Sequence, residues 1–368
     1  MRSNLIADGE FHPIRWTLFL AVAGPCLFLL LAMIAHGGGN AGLAHSSFRA
    51  LRWIAVTELA LFIALATVGA IYEYQHRTSD RHNFPPPGRL VDVGGYKLHL
   101  QCAGPSLEQH SQNSSPTVVL DSGLVGSVLD WRRVIPEVAR FTRVCAYDRG
   151  GYGWSNTSLQ PRTPAGITTD LHALLEKSGE RPPYILVGHS LGGLNMWAYA
   201  SRYPADVAGI VLVDSAHPQQ SFPFPWRERL QLLLLRWSLP FGLPRWRGWC
   251  GGGQEEISRL KAAITCQPRY QASYYEQRAA MPEYLAEARE LTPLNSIPLI
   301  LVSRDPNRLE SNASRESQWQ NWQKDLSRIS PDARLVIAKG SGHDIPGERP
   351  DLITKAIRNL LTPLPDSQ

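Results

Sequence analysis

Three short segments of the chain carry side chains that together could break an acyl bond. Ser190 lies in Gly-His-Ser-Leu-Gly, between an apolar stretch typical of a strand and a stretch typical of a helix. A serine nucleophile needs a tight strand-to-helix turn that exposes its hydroxyl, and small neighbours avoid a clash in such a turn. The helix N-terminus then directs backbone N–H groups at developing negative charge. Ser190 is therefore the candidate nucleophile.

The other two segments supply a base and an oxyanion site. His343 follows the last predicted strand in Ser-Gly-His-Asp, and histidine is the expected base for a serine that precedes it in the chain. Acyl transfer also needs two N–H donors for the oxyanion. We assign these to Leu191 and to Leu124, which follows the third predicted strand in Asp-Ser-Gly-Leu. An incidental histidine and an ordinary glycine turn are the alternative interpretations.

A regular alternation of strands and helices would position these segments. Continuous apolar strands between helices predict an α/β fold with a mostly parallel sheet covered on both faces. The eight predicted strands are Arg89–Val93, Tyr96–Cys102, Thr117–Leu120, Arg143–Tyr147, Tyr184–Val187, Gly209–Val213, Leu299–Val302 and Arg334–Ala338. The predicted helices are Val128–Phe141, Thr168–Ser178, Leu191–Tyr203, Ser314–Ile329 and Asp351–Leu361.

Residues 216–296 are left over between the sixth and seventh strands and predict a helical lid over the site. One side of a predicted lid helix carries Trp226, Leu230, Leu233 and Trp237, and the same region holds Arg227, Arg229, Arg236, Arg245 and Arg247. The simpler interpretation is that this stripe packs on the domain; the other is that the lid also touches lipid headgroups. Either way an apolar roof favours an acyl or aromatic ester over a highly charged substrate.

Residues 1–81 predict a membrane anchor. Trp16–Ala35 has no charged side chain and Trp53–Tyr72 has only Glu58, so each run is long enough to span a hydrocarbon core of about 30 Å. We expect a hairpin of two transmembrane helices in a multi-pass membrane protein. A cleaved signal peptide followed by one span, and buried helices of a soluble protein, are the alternatives. Residues 82–88, with three consecutive prolines, predict a linker.

The net charge of the chain bears on which classes of binding partner are expected. Lys+Arg 37 against Asp+Glu 32 gives a formal net charge of +5, which is too weak an excess to indicate nucleic-acid binding but is compatible with an anionic membrane surface. The arginines that flank the apolar runs favour cytoplasmic termini by a small margin. The side of the membrane on which the soluble domain lies therefore stays open.

Four motifs in order resemble those of the α/β-hydrolase fold superfamily. They are the oxyanion segment Asp121–Trp131, the fourth-strand motif Tyr147–Ser155, the nucleophile elbow GHSLGG around Ser190 and the histidine loop GSGHD around His343. The resemblance covers residues 89–362, with the hydrolase core in 89–215 and 297–368. It implies the same nucleophile, base and oxyanion donors. The oxyanion loop of the family often begins with His-Gly, and its replacement here by Asp121-Ser122-Gly123 leaves the substrate class open.

The resemblance leaves two candidates for the acid that orients His343. The family usually places the acid after the seventh strand, where this chain has Asp305, and we expect Asp305 to be the acid. Pancreatic-type lipases place it after the sixth strand, which makes Asp214 the rival. Either aspartate could instead cap a turn at a strand end. Asp148 is expected to form a structural ion pair with its neighbour Arg149.

The cysteines bear on the compartment. In the usual strand order of this fold Cys102 and Cys145 lie on neighbouring strands, and Cys250 and Cys266 both lie in the lid. Buried free thiols are the simpler expectation. A disulfide in either pair would instead indicate an oxidising compartment.

These observations predict a membrane-anchored serine hydrolase that cleaves carboxylic esters of lipophilic or small acyl substrates through an acyl-enzyme. An acyltransferase or peptidase with the same triad, or a non-catalytic binding protein on this fold, is the alternative. A serine at position 190 excludes the nucleophilic aspartate of dehalogenases and epoxide hydrolases. No cofactor is expected, and no metal, because no His/Cys/Asp cluster has zinc spacing.

Overall fold

A computed structural model describes residues 41–109, 115–251, 255–308 and 313–361, with side chains from residue 52 onward. The chain divides into two compact units, one up to Tyr72 and one from Glu73. The predicted span Trp16–Ala35 lies outside the described residues.

One long helix, α1 (Ala41–Asn83), contains the second predicted span. Its Arg52–Asn83 part is long and apolar enough to cross a membrane, and none of the residues in its apolar window is buried. It is the one helix of this kind in the part of the chain that the structure describes. Within the described residues, the predicted hairpin is therefore represented by one candidate membrane helix.

The second unit is built on an eight-stranded mixed sheet. Its strands are β1 (Arg89–Asp92), β2 (Lys97–Ala103), β3 (Thr117–Asp121), β4 (Val144–Tyr147), β5 (Tyr184–His189), β6 (Val207–Val213), β7 (Leu299–Arg304) and β8 (Ala333–Ala338). They lie in the order β1-β2-β4-β3-β5-β6-β7-β8. The pairs β1–β2 and β2–β4 are antiparallel and the other neighbours are parallel. The predicted eight-stranded, mostly parallel sheet is confirmed.

The described helices of this unit lie on both faces of the sheet and in the predicted lid, residues 216–296. They are α2 (Ile135–Val138), α3 (Pro164–Ser178), α4 (Leu191–Arg202), α5 (Trp226–Ser238), α6 (Leu243–Trp246), α7 (Glu256–Thr265), α8 (Pro268–Ala288), α9 (Ala313–Leu326), α10 (Ile345–Glu348) and α11 (Pro350–Leu361). Within the described residues, 3-10 helices lie at Val128–Trp131, Pro204–Asp206, Leu239–Phe241 and Ser327–Ile329. Successive strand residues alternate between two buried clusters, which is why the strands are apolar throughout: Leu186 packs on the α3 and α4 side, and Val187 on the α11 side.

The predicted helix Val128–Phe141 is the main departure in secondary structure. It forms as the 3-10 helix Val128–Trp131 and the single turn α2. Pro136 lies at the start of α2 and has no N–H to donate, so it cannot continue a helix that begins at residue 128. The 3-10 helix Val128–Trp131 is capped at its N-terminus by Ser127, which forms a capping box with Asp130.

The predicted lid, residues 216–296, forms α5 to α8. The apolar stripe of α5 does not pack on the domain, which was the simpler of the two interpretations. Trp226 and Trp237 are 68% and 74% exposed, and α5 has no buried residue. The reason is that α8 covers the domain with buried side chains such as Tyr284, so α5 lies outside α8. An ion pair of 2.8 Å between Arg278 and Glu228 joins the two helices. The exposed stripe contains Leu234, and Leu233 is half-buried.

Both cysteine pairs are bonded. Disulfides join Cys102 to Cys145 and Cys250 to Cys266. The first pair lies at directly opposed positions of β2 and β4. The expectation of buried free thiols is therefore wrong. For Cys102 and Cys145 the physical reason is the strand order, which makes β2 and β4 neighbours.

Candidate active site

Ser190 occupies the turn between β5 and α4. Its φ of 53° and ψ of −120° are strained for a residue with a Cβ, at a cost of about 1–3 kcal/mol. Two backbone hydrogen bonds hold the turn: Ser190 N donates to Val213 O at 3.0 Å, and Ala216 N donates to Ser190 O at 2.9 Å. The neighbouring strand therefore keeps the serine in this conformation.

The glycines on either side of Ser190 are required by the close approach of backbone. A Cβ on Gly188 would lie 2.3 Å from the carbonyl oxygen of Gly192. A Cβ on Gly192 would lie 2.4 Å from the carbonyl oxygen of Asp121. Both distances are far below van der Waals contact, which is the physical reason for glycine at these two positions.

His343 lies beside Asp214. The His343 Nδ1 and Asp214 Oδ2 atoms are 2.6 Å apart, although the residues are 129 positions apart in the chain. Asp214 follows β6, is fully buried and has a φ of 42°. Its carboxylate thus points across the ends of the strands towards the loop after β8.

Asp305, the acid that the sequence favoured, has a different environment. Its carboxylate accepts hydrogen bonds from Gly340 N at 2.8 Å and Asn307 N at 2.9 Å. These bonds hold the pKa of Asp305 below its usual value at an exposed position. Asp305 therefore caps the turn after β7, and the preference for it over Asp214 does not agree with the structure.

Two residues that sequence analysis missed contact Asp214. Trp319 Nε1 donates to Asp214 Oδ1 at 2.8 Å, and the backbone N of Arg304 donates to the same oxygen at 3.1 Å. Burial raises the pKa of Asp214, but the hydrogen bond from His343 and the charge of Arg304 outweigh it, so the pKa lies below its ordinary value. The carboxylate is ionised and can orient an imidazole.

Arg304 is itself held in place. It pairs with Glu316 at 2.8 Å, and its guanidinium lies 4.5 Å from the ring centroid of Trp319. The arginine next to Asp305 in the sequence was the available signal for this cluster, but nothing in the sequence showed which aspartate it faces.

The oxyanion segment lies against the nucleophile. A Cβ on Gly123 would be 3.4 Å from Ser190 Cβ and 3.8 Å from Ser190 Oγ. Leu191 is the first residue of α4, and the first N–H groups of a helix have no intrahelical acceptor. The structure therefore brings both predicted donor segments to Ser190.

Arg149 orients the segment that carries Leu124, the second candidate oxyanion donor. Its guanidinium is buried and donates to Asp121 Oδ1 at 2.5 Å, to Ser122 O at 2.6 Å, and to the carbonyl oxygen of Gly123. The Leu124 N–H belongs to the same trans peptide as the Gly123 carbonyl, so it points the opposite way, away from Arg149. Burial opposes the positive charge of Arg149, but Asp121 keeps its pKa above the ordinary value.

The expected ion pair between Asp148 and Arg149 is therefore wrong. Asp148 pairs with His99, whose Nδ1 lies 2.7 Å from Asp148 Oδ2. The same carboxylate accepts from Val128 N at 2.9 Å and Trp154 N at 3.0 Å. Asp148 and Arg149 follow β4, and each finds its partner on a different neighbouring strand.

A polar chain connects this oxyanion segment to the lid. Asn195 of α4 donates to Asp121 Oδ2 at 2.7 Å and accepts from the hydroxyl of Tyr284 in α8 at 2.6 Å. Tyr270, also in α8, donates to the carbonyl oxygen of Val125 at 2.7 Å. The lid helix thereby holds the loop that carries the Leu124 N–H.

His189 is a packing residue. Burial lowers the pKa of His189 to about 3, so its ring is neutral. Its Nε2 lies 2.8 Å from the carbonyl oxygen of His343 and donates a hydrogen bond to it. His189 therefore supports the loop of the candidate base.

The described residues contain one cluster with metal-ligand spacing, Cys102, Cys145 and Glu180, whose ligand atoms lie within 4.8 Å of one another. Its two sulfurs are bonded to each other, so neither offers a thiolate. The donor set does not fit a metal ion.

Comparison with known proteins supports the fold. The model of the alpha/beta hydrolase fold family matches residues 116–255. An uncharacterised protein of Schizosaccharomyces pombe is 26% identical over 310 residues, which are 75% of this chain and 56% of that protein. An AB hydrolase superfamily protein of Gibberella zeae is 24% identical over 296 residues, 72% of this chain and 91% of that one. The chain spans about half the length of the first curated relatives that it matches.

Among solved structures, the enol-lactonase from Burkholderia xenovorans superposes with a TM-score of 0.57 at 20% identity, covering 75% of this chain and 100% of that one. Identity at this level shows a shared fold. The strand order and the matched family model agree with it, so the second unit has the α/β-hydrolase fold.

Proposed function

We propose that the protein is a serine hydrolase that cleaves carboxylic esters of lipophilic or small acyl substrates. The contact between His343 Nδ1 and Asp214 Oδ2 carries the proposal, because a carboxylate on Nδ1 orients the imidazole so that its Nε2 can act as a base. Ser190 on its strained turn and the oxyanion segment beside it complete the set. An ionised carboxylate, a base and a nucleophile in this order fit acyl transfer.

In the proposed reaction Ser190 Oγ attacks the ester carbonyl while Nε2 of His343 takes the hydroxyl proton. Asp214 stabilises the resulting imidazolium, and the N–H groups of Leu124 and Leu191 bind the oxyanion. His343 then gives the proton to the leaving alcohol, which departs and leaves the acyl-enzyme. Water, deprotonated by the same imidazole, hydrolyses this intermediate and restores Ser190.

The test is active-site labelling followed by an ester panel. A fluorophosphonate probe should label the wild-type chain at Ser190, and Ser190→Ala should be unlabelled and lose p-nitrophenyl ester hydrolysis by about 10⁴-fold or more. The matched Ser341→Ala variant removes a buried hydroxyl of the histidine loop that donates to Glu348 Oε2 at 3.0 Å, and it should keep the label. Labelled Ser190→Ala, or a folded wild type that never labels, would remove the proposal. A product that shifts from acid to ester when an alcohol is added would make the enzyme an acyltransferase.

We also propose that α1 anchors the protein in a membrane and that the hydrolase unit faces an oxidising compartment. The exposed apolar side chains of α1 support the anchor, and the two disulfides support the compartment. The weak arginine bias favours the opposite side. Thiol labelling of the unreduced, denatured chain from its native membrane decides: one labelled cysteine of five supports the proposal, and five labelled cysteines contradict it.

A further inference from the structure

A buried charge cluster ties the lid to the end of the apolar helix. Arg245 of α6 pairs with Glu73 at 3.0 Å and with Asp80 at 2.9 Å. Glu73 is 2% exposed, and Arg77 also pairs with it at 2.9 Å. A buried carboxylate requires such partners, so the contact holds α6 firmly. The disulfide between Cys250 and Cys266 fixes the chain just after α6.

This cluster locates the lid relative to the proposed bilayer. Glu73 immediately follows Tyr72, the last residue of the apolar run. If that run spans the membrane, chain connectivity places Glu73 at the membrane surface. Arg245, in direct contact with Glu73, then lies at the same level.

The lid presents exposed aromatic and basic side chains on α6, which holds Arg245, and on α5, which contacts α6. Trp226, Leu230, Leu234 and Trp237 form an exposed stripe along α5, and Trp246 adjoins Arg245 and is also exposed. Arg227 lies over the ring of Trp226 and Arg247 over that of Trp246. The segment 226–250 contains five arginines and a single acid, Glu228, which is neutralised by Arg278. Tryptophan beside arginine is the composition of surfaces that lie in the headgroup layer of anionic membranes.

We propose that these side chains form a docking face on which the lid rests on an anionic bilayer. The lid face is defined as Trp226, Leu230, Leu234, Trp237 and Trp246 with Arg227, Arg236 and Arg247. The proposal rests on the membrane-anchoring part of the proposed function and makes no use of the catalytic part.

Photocrosslinking tests this directly. The full-length chain, with p-benzoyl-phenylalanine in place of Trp226 or Trp237, is reconstituted into nanodiscs of phosphatidylcholine and phosphatidylglycerol and irradiated. The control places the same residue at Leu335, an exposed position on β8, at the opposite edge of the sheet from β1. We expect an added mass of one lipid at 226 and 237, with about tenfold more adduct than at 335.

Several results would overturn the proposal. Equal adduct at all three positions, or none, would exclude docking; an added mass of one whole chain would identify a second copy as the occupant. An unchanged yield in nanodiscs of phosphatidylcholine alone would exclude the anionic preference. Fluorophosphonate labelling of the same samples reports the catalytic proposal separately, so either can fail without the other.

The role of the ion pairs that join Arg245 to Glu73 and Asp80 is tested by two substitutions of Arg245. Arg245→Met should lower the lipid adduct at position 237 several-fold, and Arg245→Lys, which keeps a charge beside Glu73, should largely retain it. An unchanged circular dichroism spectrum and thermal unfolding midpoint show that each variant is folded. If Arg245→Met keeps the full adduct, the charge cluster does not position the lid.

Discussion

The arginines below the candidate site and those on the lid face use the same side chain in opposite ways. Arg149 and Arg304 are 5% and 8% exposed, and each binds a carboxylate and backbone oxygens or an aromatic ring. Arg227, Arg236 and Arg247 are exposed. Removing one partner of a buried pair costs about 3–5 kcal/mol, whereas an exposed pair contributes about 0–1 kcal/mol. The buried arginines therefore fix geometry, and the exposed ones are available to a ligand.

The sharpest test within the buried region compares two aspartates. Asp214→Asn should lower kcat about 10³- to 10⁴-fold, because the amide cannot stabilise the imidazolium of His343. Asp305→Asn changes a carboxylate that only caps a turn, and should alter kcat by less than about twofold. Steady-state hydrolysis of a p-nitrophenyl ester by both variants measures the difference. Equal losses would contradict the assignment of Asp214.

The next test breaks the support of the oxyanion segment. Arg149→Met should lower kcat about 10²-fold with a smaller change in KM, because the Leu124 N–H loses its orientation while the substrate pocket persists. Arg149→Lys keeps the charge but cannot reach all the carbonyl oxygens, so it should fall between wild type and Arg149→Met. A fall in thermal stability with kcat unchanged would make Arg149 purely structural.

The pH dependence of stability sharpens the role of the buried charges. The pKa of Asp214 is lower in the folded state than its unfolded value of about 3.9. Its contribution to stability is therefore fully present above pH ~4 and is lost as the pH falls through the folded pKa. Denaturant unfolding between mildly acidic and acid pH should show a shallower loss of the free energy of unfolding for Asp214→Asn than for wild type. Parallel curves would exclude the shift.

The smallest effect is expected on the lid face. Arg236→Gln should leave the free energy of unfolding within about 0.5 kcal/mol of wild type, because an exposed arginine loses little on substitution. Its kcat for a soluble short-chain ester should also be unchanged. A large loss in either measurement would show that the lid arginines act as the buried ones do.

The positions of the strands and of the catalytic motifs could be predicted from the sequence because their signals are local. Apolar stretches of four to seven residues predicted the ends of the eight strands to within one residue, apart from β5, β6 and β7, which extend two residues further at one end. The turn around Ser190 depends on glycines at fixed spacing. A Cβ on Gly188 would clash with Gly192 O within the same turn, whereas a Cβ on Gly192 would clash with Asp121 O at the end of β3. The helix from Val128 to Phe141 was overpredicted because the weight of Pro136 was missed.

The alternation of strands and helices along the chain was enough to predict the fold class, and short motifs were enough to predict the nucleophile, base and oxyanion candidates. Tertiary packing was needed to show which aspartate faces His343, that Arg149 pairs with Asp121, that the cysteines are bonded and that the tryptophans of α5 face outward. Each of these depends on which side chains the strand order and the packing of α8 bring within a few ångströms across long separations in the chain. A sequence pattern shows the periodicity along one strand or helix. It does not show towards which neighbouring strand or loop a carboxylate points.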